Sequence, residues 1–492
     1  MNKTATLLST SLALMAVNQT EAKSKQSDKR PNLLVVLCDD VNFDMFGCYG
    51  NTQTVTPNID RLAEQGVTFR TGWNSALSGP ARAQIMTGCY ATTTDCWSNG
   101  FFIPDQVNKK GLFERFVPFS KHLHDAGYTT AVGGKWHVGS GEHPSNPIVG
   151  FDHYALWEGN KELNALGLPN WDGGMESVEE GKSARYWHPC IIMDHKHRPT
   201  TESDFGPDII CKYMCDFIAD ASKDDAPFLA YYPMLMPHGP YVDTPLQTDK
   251  GVNIDIDSHS KYTNDERFVN MINYIDILMG RLLDQLEKSG VLENTLIIFT
   301  ADNGTAVTAK SRGVERGCHV PYIFSGYGVK KRDGLTAEIC DGTDIYPTLL
   351  DFAGIELPKI DGVSMKPFLN GKSDTHREYI HSCIGGTQLL RTRTHLLEVV
   401  TPILGLPEGR FYYCGDNAAG NNYIRAEGVK EHEETLEIFR KLLDEKYIGL
   451  KADNPYFEDK RGKAFLRLYI KGKDKHIYNH RDYVRYDESI GD

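Results

Sequence analysis

Residues 32–40 read NLLVVLCDD and residues 295–304 read TLIIFTADNG. Each is a continuous apolar run that ends in acidic or amide side chains, without the alternation of a half-solvated strand. Such runs are the mark of strands buried on both faces, at the centre of a parallel sheet covered by helices. In open sheets of that kind, ligand sites gather at the carboxyl ends of the strands. Asp39, Asp40, Asp302 and Asn303 are therefore expected along one edge of one sheet. A third run, APFLAYYPML (226–235), leads in the same manner into MPHGPY.

Helical stretches lie between these runs. Thr56-Pro57 opens NIDRLAEQ and Gly66 closes it, with Ile59, Leu62 and Ala63 on one face. Further helices are predicted over 80–87, 119–126, 208–221, 265–288 and 344–353. The alternation predicts a large doubly wound α/β domain, with a parallel or mixed sheet flanked by helices. Residues 158–207 are polar and rich in Gly, His and Trp, too long for a simple connection, and read as a substrate-side insertion. Past residue 375 the texture changes to strands at LLRTRTHLLEVV and GRFYYCG and a helix over 430–446. We expect a catalytic domain over 23–374 and a smaller C-terminal α+β subdomain over 375–492.

The first 22 residues carry Lys3, the apolar stretch ATLLSTSLALMAV and Thr20-Glu21-Ala22, which together read as a secretion signal. The stretch is short of the roughly 20 residues of a membrane span. A periplasmic or secreted protein with no span after signal cleavage is expected. N-x-S/T signals occur only at Asn2 and Asn18, within the leader, and at Asn303, which suits a bacterial periplasm or exterior better than an animal lysosome.

The chain has 492 residues, 66 acidic against 53 basic, and a net charge of −13. No run of Lys and Arg tracks a nucleic acid, so that partner is excluded. An anionic substrate must then be held by a few local cations or by a metal. Eleven cysteines, an odd number, leave at least one unpaired in the monomer. Cys211 and Cys215, four apart on a helix, read as packing residues, because no partner pair suited to a metal lies nearby.

The acid pairs offer only oxygen, the donor that calcium and magnesium prefer. One pair would be an ordinary strand cap in a solvated turn; two pairs at strand ends of one sheet point to a metal site. Ser78-Gly79-Pro80-Ala81-Arg82 precedes AQIMTG, with Pro80 placed to open a short helix ending at Gly88. Exposed N–H groups and a positive dipole at that helix end would hold an anion or stabilise an oxyanion beside Ser78. A plain serine cap reads the same way.

At SGPAR-AQI-MTG the chain resembles the formylglycine-dependent (type I) sulfatases of the alkaline phosphatase-like superfamily, whose signature is C/S-x-P-x-R followed by x-x-x-(L/M)-T-G. The resemblance extends through TPNIDRLAEQGVTF, GYTTAVGGKWHVG, MPHGPY and FTADNG to DGTDIYPTLLDFAGI and DGVSMKPFL. It implies one calcium ion bound by Asp39, Asp40, Asp302 and Asn303 and contacting the residue at Ser78. It implies oxidation of Ser78 to formylglycine by a serine-accepting maturase, with Arg82 holding that residue. Lys135 and Lys310 would bind sulfate, His137 would orient the hydrated aldehyde, and His238 would assist departure of the alcohol.

Two departures stand out. Ser replaces the commoner Cys, and the usual E-G-G-x-R-V-P appears as Glu315-Arg316-Gly317-Cys318-His319-Val320-Pro321, so Arg316 and His319 bear on either substrate recognition or local packing. His195 and His197 are further substrate-contact candidates, with a solvated loop as the other reading. The resemblance favours a sulfated carbohydrate as substrate. Two other readings stand beside it: a metal-dependent phosphoester or phosphonate hydrolase using Ser78 directly, and a sulfated-glycan binding protein without catalysis.

Overall fold

Strand β1 (Asn32–Cys38) is buried along its whole length, and every side chain from Leu33 to Cys38 is shut off from solvent. The computed structural model describes residues 30–447 except 100, 103–109, 139–140, 166, 168–177, 247–265, 306–309, 311–312, 385–386, 401–407 and 416–422. The expected secretion leader and the end of the C-terminal subdomain lie outside the described residues.

The sheet is easiest to follow outward from β1, in chain numbering. Ahead of the centre come β2 (Val67–Trp73), the short hairpin of β3 (Cys96–Ser98) and β4 (Phe101–Phe102), and β5 (Thr129–Gly134). Then follow β6 (His153–Trp157), β7 (Ile191–Met193), β8 (Lys196–Arg198), β9 (Phe228–Pro233), β10 (Thr295–Ala301), β11 (Tyr322–Gly326) and β12 (Leu335–Asp341). The large sheet has ten strands in the order β12-β2-β11-β10-β1-β9-β5-β6-β7-β8. Its centre, from β10 to β6, is parallel. Antiparallel pairings set in on both sides, at β11 and at β7. The sheet is therefore mixed around a parallel core, as continuous apolar runs at the centre and shorter strands at the edge require.

Register places the site. Cys38 pairs with Ala301 and Leu37 with Pro233, so Asp39, Asp302 and the 234–238 loop leave the sheet side by side. Helices flank the sheet. The longest, Glu266–Lys288, buries Phe268, Met271, Ile272, Ile275, Met279, Leu282 and Leu286, the spacing of one helical face. The predicted helices appear at Pro57–Glu64, Ser78–Thr87, Phe119–Asp125, Gly206–Ala221, Glu266–Lys288 and Ile345–Phe352. One start differs: Leu77 is extended and caps the helix, so Ser78 is its first residue and Pro80 its third. A proline fits there because first-turn N–H groups have no acceptor within the helix.

The second sheet is an antiparallel meander of β13 (Ile380–Ile384), β14 (Thr387–Arg391), β15 (His395–Val400), β16 (Arg410–Tyr413) and β17 (Ile424–Arg425). The helix Glu433–Lys446 covers it, packing Leu436, Phe439 and Leu443 with Leu390, Leu397 and Phe411. Two ion pairs tie this sheet to the rest of the fold, the buried Arg391 Nε to Glu315 Oε1 at 2.9 Å and the partly exposed Arg393 Nε to Glu338 Oε1 at 2.6 Å. No disulfide bond forms among the described residues. The Cys211 and Cys215 thiols face the carbonyl oxygens of Leu278 and Arg281 on the neighbouring helix, in packing roles.

Glu398 on β15 gives the C-terminal sheet a testable pH response. It is 1% exposed and accepts the Glu315 N–H at 3.0 Å. Burial pushes its acid up to about 7 against the opposing pull of Arg410. A carboxyl whose folded value lies above its unfolded one holds its proton more tightly when folded, so stability falls as pH rises from about 4.5 through 7. Glu398→Gln removes that loss, and in urea unfolding the variant should gain on the parent by up to about 3 kcal/mol between pH 5 and pH 8. An identical difference at both pH values would rule the assignment out.

Candidate active site

Neighbouring side chains of an extended strand point to opposite faces, so Asp39 and Asp40 could not share a site if β1 simply continued. It does not: Asp40 adopts a left-handed conformation, with φ 63°. Aspartate tolerates that region better than most residues. The turn brings one ligand atom each from Asp39, Asp40 and His238 within 4.8 Å of one another. From the adjacent strand end, Asp302 Oδ1 accepts the N–H groups of Asp40 and Asn303 at 3.1 and 2.8 Å.

Ser78 stands over these carboxylates with no solvent exposure. Its Oγ is 3.0 Å from Asn303 Oδ1 and 3.3 Å from Asp39 Oδ1. A serine hydroxyl has one proton and faces two acceptors here. Arg82, one turn along the same helix and also fully buried, donates from Nε and Nη2 to Asp302 Oδ2 at 3.0 and 2.9 Å, and from Nη1 to the Lys135 carbonyl at 2.7 Å.

Lys135 arrives from the end of β5. Gly134 there has φ 125°, and a Cβ on it would meet the Pro233 carbonyl oxygen at 1.9 Å, so glycine at 134 is a steric requirement of the close approach between the ends of β5 and β9. Lys135 Nζ lies 2.5 Å from Asp39 Oδ2, and Lys310 Nζ lies 2.5 Å from Asp40 Oδ1. His238 Nδ1 is 2.6 Å from the Gly239 carbonyl oxygen, which assigns the proton to Nδ1 and leaves Nε2 facing Asp40 Oδ2 at 3.5 Å. His137, exposed and in a left-handed conformation, lines the same cleft as Lys135 and His238.

Three carboxylates and three cations thus share one nearly dry volume. Burial alone would raise Asp39, but Lys135, His238 and Arg82 hold it well below the usual carboxylate range. Asp302, with burial and Asp39 acting together, is pushed up to about 6. Burial lowers Lys135, whereas Asp40 and Asp39 more than offset burial at Lys310 and raise it. Crowding by protein, then the charges of Lys135 and Arg82, keep the His137 imidazole neutral at physiological pH.

The donor set suits a hard cation, being carboxylate and amide oxygens with one imidazole. Asp40 Oδ2 is buried and receives no hydrogen bond, the condition of an oxygen awaiting a positive ligand. Asp302 and Asn303 stand alongside, engaged by Arg82, by backbone N–H groups and by Ser78.

The remaining candidates separate from this cluster. Arg316 Nη1 pairs with Asp44 Oδ2 at 2.8 Å, and His319 stacks on Phe43 with centroids 3.7 Å apart. Both departures from the usual segment are packing residues. His195 and His197 lie at the β7–β8 hairpin, away from the cleft. The sequence reading did not single out Trp157, Glu158 or Arg185, which line the cleft with Lys135, His137 and His238. They sit in or beside an irregular segment with no local pattern to announce them.

The chain has relatives among known proteins. The chain is 27% identical over 392 residues to Arylsulfatase A of Homo sapiens, covering 71% of this chain and 69% of that one. It is 27% identical over 440 residues to the N-acetylglucosamine-6-O-sulfatase of Bacteroides thetaiotaomicron, covering 75% and 76%. The solved structure of Ps i-CgsB in complex with k-i-k-neocarrahexaose superposes with a TM-score of 0.66 at 21% identity, covering 92% of this chain and 100% of that one, and shares its fold. Since the sulfatase family model matches residues 31–355, the chain belongs to that family, as a type I sulfatase and thus a sulfuric ester hydrolase.

Proposed function

We propose that the enzyme removes sulfate from a sulfated carbohydrate, using a formylglycine made from Ser78 and one calcium ion held by Asp39, Asp40, Asp302 and Asn303. The observation that carries this reading is the Ser78 hydroxyl held between two acceptors, Asp39 Oδ1 and Asn303 Oδ1. A hydrated aldehyde has two hydroxyls where serine has one, and a cation would draw both acceptors inward. The Bacteroides thetaiotaomicron relative is an N-acetylglucosamine-6-O-sulfatase, which supports a sugar substrate.

The hydrated aldehyde supplies a nucleophile that can later release sulfate by re-forming the carbonyl. Calcium would supply charge to the sulfate oxygens and the nucleophile. The chain's own groups do the rest. Lys135 and Lys310 bind the sulfate oxygens, where negative charge builds in the transition state. Arg82 fixes Asp302 and the Lys135 backbone. With Nδ1–H held by the Gly239 carbonyl, His238 presents Nε2 to the departing sugar oxygen and, when protonated there as well, gives that proton to it, while neutral His137 accepts a proton from the remaining hydroxyl as sulfate leaves. The apolar leader supports an exported, periplasmic or secreted enzyme, and among the described residues no helix is long and apolar enough to cross a membrane.

Peptide mass spectrometry on the native-host protein tests the nucleophile. Serine to formylglycine removes two hydrogens, so the Ser78 peptide should lose about 2 Da. Unmodified serine in active material would point instead to direct phosphoester chemistry, and unmodified, inactive material to a binding protein.

The metal has its own readout. Millimolar calcium should raise the melting temperature of chelator-treated protein, by mass action on the folded state, and Asp40→Asn should abolish the rise. Equal calcium shifts in parent and variant would place the ion elsewhere.

A further inference from the structure

The loop 235–240, which carries His238, has prolines at 237 and 240 and so lacks two backbone donors. It closes one turn of its own, His238 N–H to the Leu235 carbonyl at 3.1 Å, and its Met236 carbonyl accepts the Asp39 N–H at 2.9 Å. The His238 carbonyl is met from a distant part of the chain. The Tyr186 hydroxyl donates to it, and the same phenol oxygen lies 3.1 Å from the Leu235 carbonyl oxygen. One phenol thus clasps both ends of the turn from which the imidazole hangs.

Tyr186 is itself firmly held. Its side chain is fully buried, so no substrate touches it. Its N–H donates to the Ser183 carbonyl at 2.9 Å, and its carbonyl accepts the Gly206 N–H at 2.7 Å, at the start of the helix Gly206–Ala221. Burial, with the Asp39 charge adding to it, pushes the phenol well above its usual range, so the hydroxyl stays a donor. We infer that Tyr186 is a positioning residue: its hydroxyl fixes the 235–238 turn and thereby the reach of His238 Nε2 to the departing oxygen. Proton transfer needs a heavy-atom separation of about 2.6–3.2 Å, so a turn free to shift by about 1 Å loses the transfer without losing the substrate. This rests on the reading that His238 protonates the alcohol as it leaves.

Tyr186→Phe keeps the ring and removes the hydroxyl. The test compares kcat and KM on p-nitrophenyl sulfate, whose phenolate departs readily, and on p-cresyl sulfate, whose phenol, like that of tyrosine, has a pKa of about 10 and leaves better with a proton. The kcat of the variant should fall about 10- to 100-fold on the cresyl ester and less than about threefold on the nitrophenyl ester, with both KM values within about threefold of the parent's. Misfolded protein would lower both rates by one factor, so the ratio between the esters reads the role and not the amount of folded enzyme. In a His238→Asn background, adding Tyr186→Phe should cost no more than about a further twofold. Equal losses on the two esters, no loss on either, or a loss that persists in full without His238 would overturn the inference. A His238→Asn variant that slows both esters equally would overturn the acid reading of His238, and this inference with it. A parent enzyme inert on both esters and on sulfated monosaccharides would remove the carbohydrate reading as well.

Discussion

On the proposed chemistry, Ser78→Ala should lower kcat for sulfate release by about 10⁴- to 10⁶-fold, the loss found when a covalent nucleophile is deleted. The side chain removed is one hydroxyl, and the helix it begins is anchored elsewhere, by Arg82 on Asp302 and by the Leu77 cap. The melting temperature should therefore stay within a few degrees of the parent's, separating lost chemistry from lost structure. Ser78→Cys sharpens the result, since a cysteine-accepting maturase would restore activity to it and not to the alanine variant. An alanine variant within about tenfold of the parent would remove Ser78 from the reaction altogether.

Arg82→Met costs about 3–5 kcal/mol in stability as well as activity, because it breaks a buried pair and leaves one partner behind. Arg82 and Asp302 are both fully buried, and two N–H groups of the first converge on Oδ2 of the second. Without the guanidinium, Asp302 is left beside Asp39 with only Lys135 to offset it among its nearest charges. Adding Asp302→Asn to Arg82→Met should recover part of the loss, since the stranded charge is then gone. Urea unfolding of the four proteins in chelator measures the coupling. Strictly additive losses would mean that the pair does not act as a unit.

The buried centre of this fold was legible because burial on both faces leaves no charged and few polar residues within the strand; β1, β9 and β10 announced themselves for that reason. β2 was harder to see, since VTFRTGW mixes Arg70 and Gly72 into a strand whose neighbours supply the packing. Long helices were placed to within two residues where one apolar face persisted. The site was legible as chemistry before it was legible as geometry. Acid pairs at strand ends pointed to a hard cation, yet nothing in the residue order foretold the left-handed turn at Asp40 that lets adjacent carboxylates converge. Tyr186 could not be found at all, because its meaning comes from the carbonyl groups of Leu235 and His238, remote in sequence and brought near only by the fold. Glu315, named in the sequence only as the start of the segment that runs to Pro321, turns out to anchor the second sheet through Arg391.

The order of strands also sets a clock. β1 is made first but sits between β9 and β10, and the 225 residues from Ser78 to Asn303 must be synthesised before the serine acquires its cover. At about 5–20 residues per second that interval lasts roughly 10–45 s. In the finished protein Ser78 has no exposed surface. On the proposed chemistry, that interval is the shortest time for which the serine stays open, and oxidation must come before folding closes the cover. Offered to the maturase, urea-unfolded serine protein should be converted and native serine protein left unchanged; conversion of both at one rate would show that the cover opens after folding.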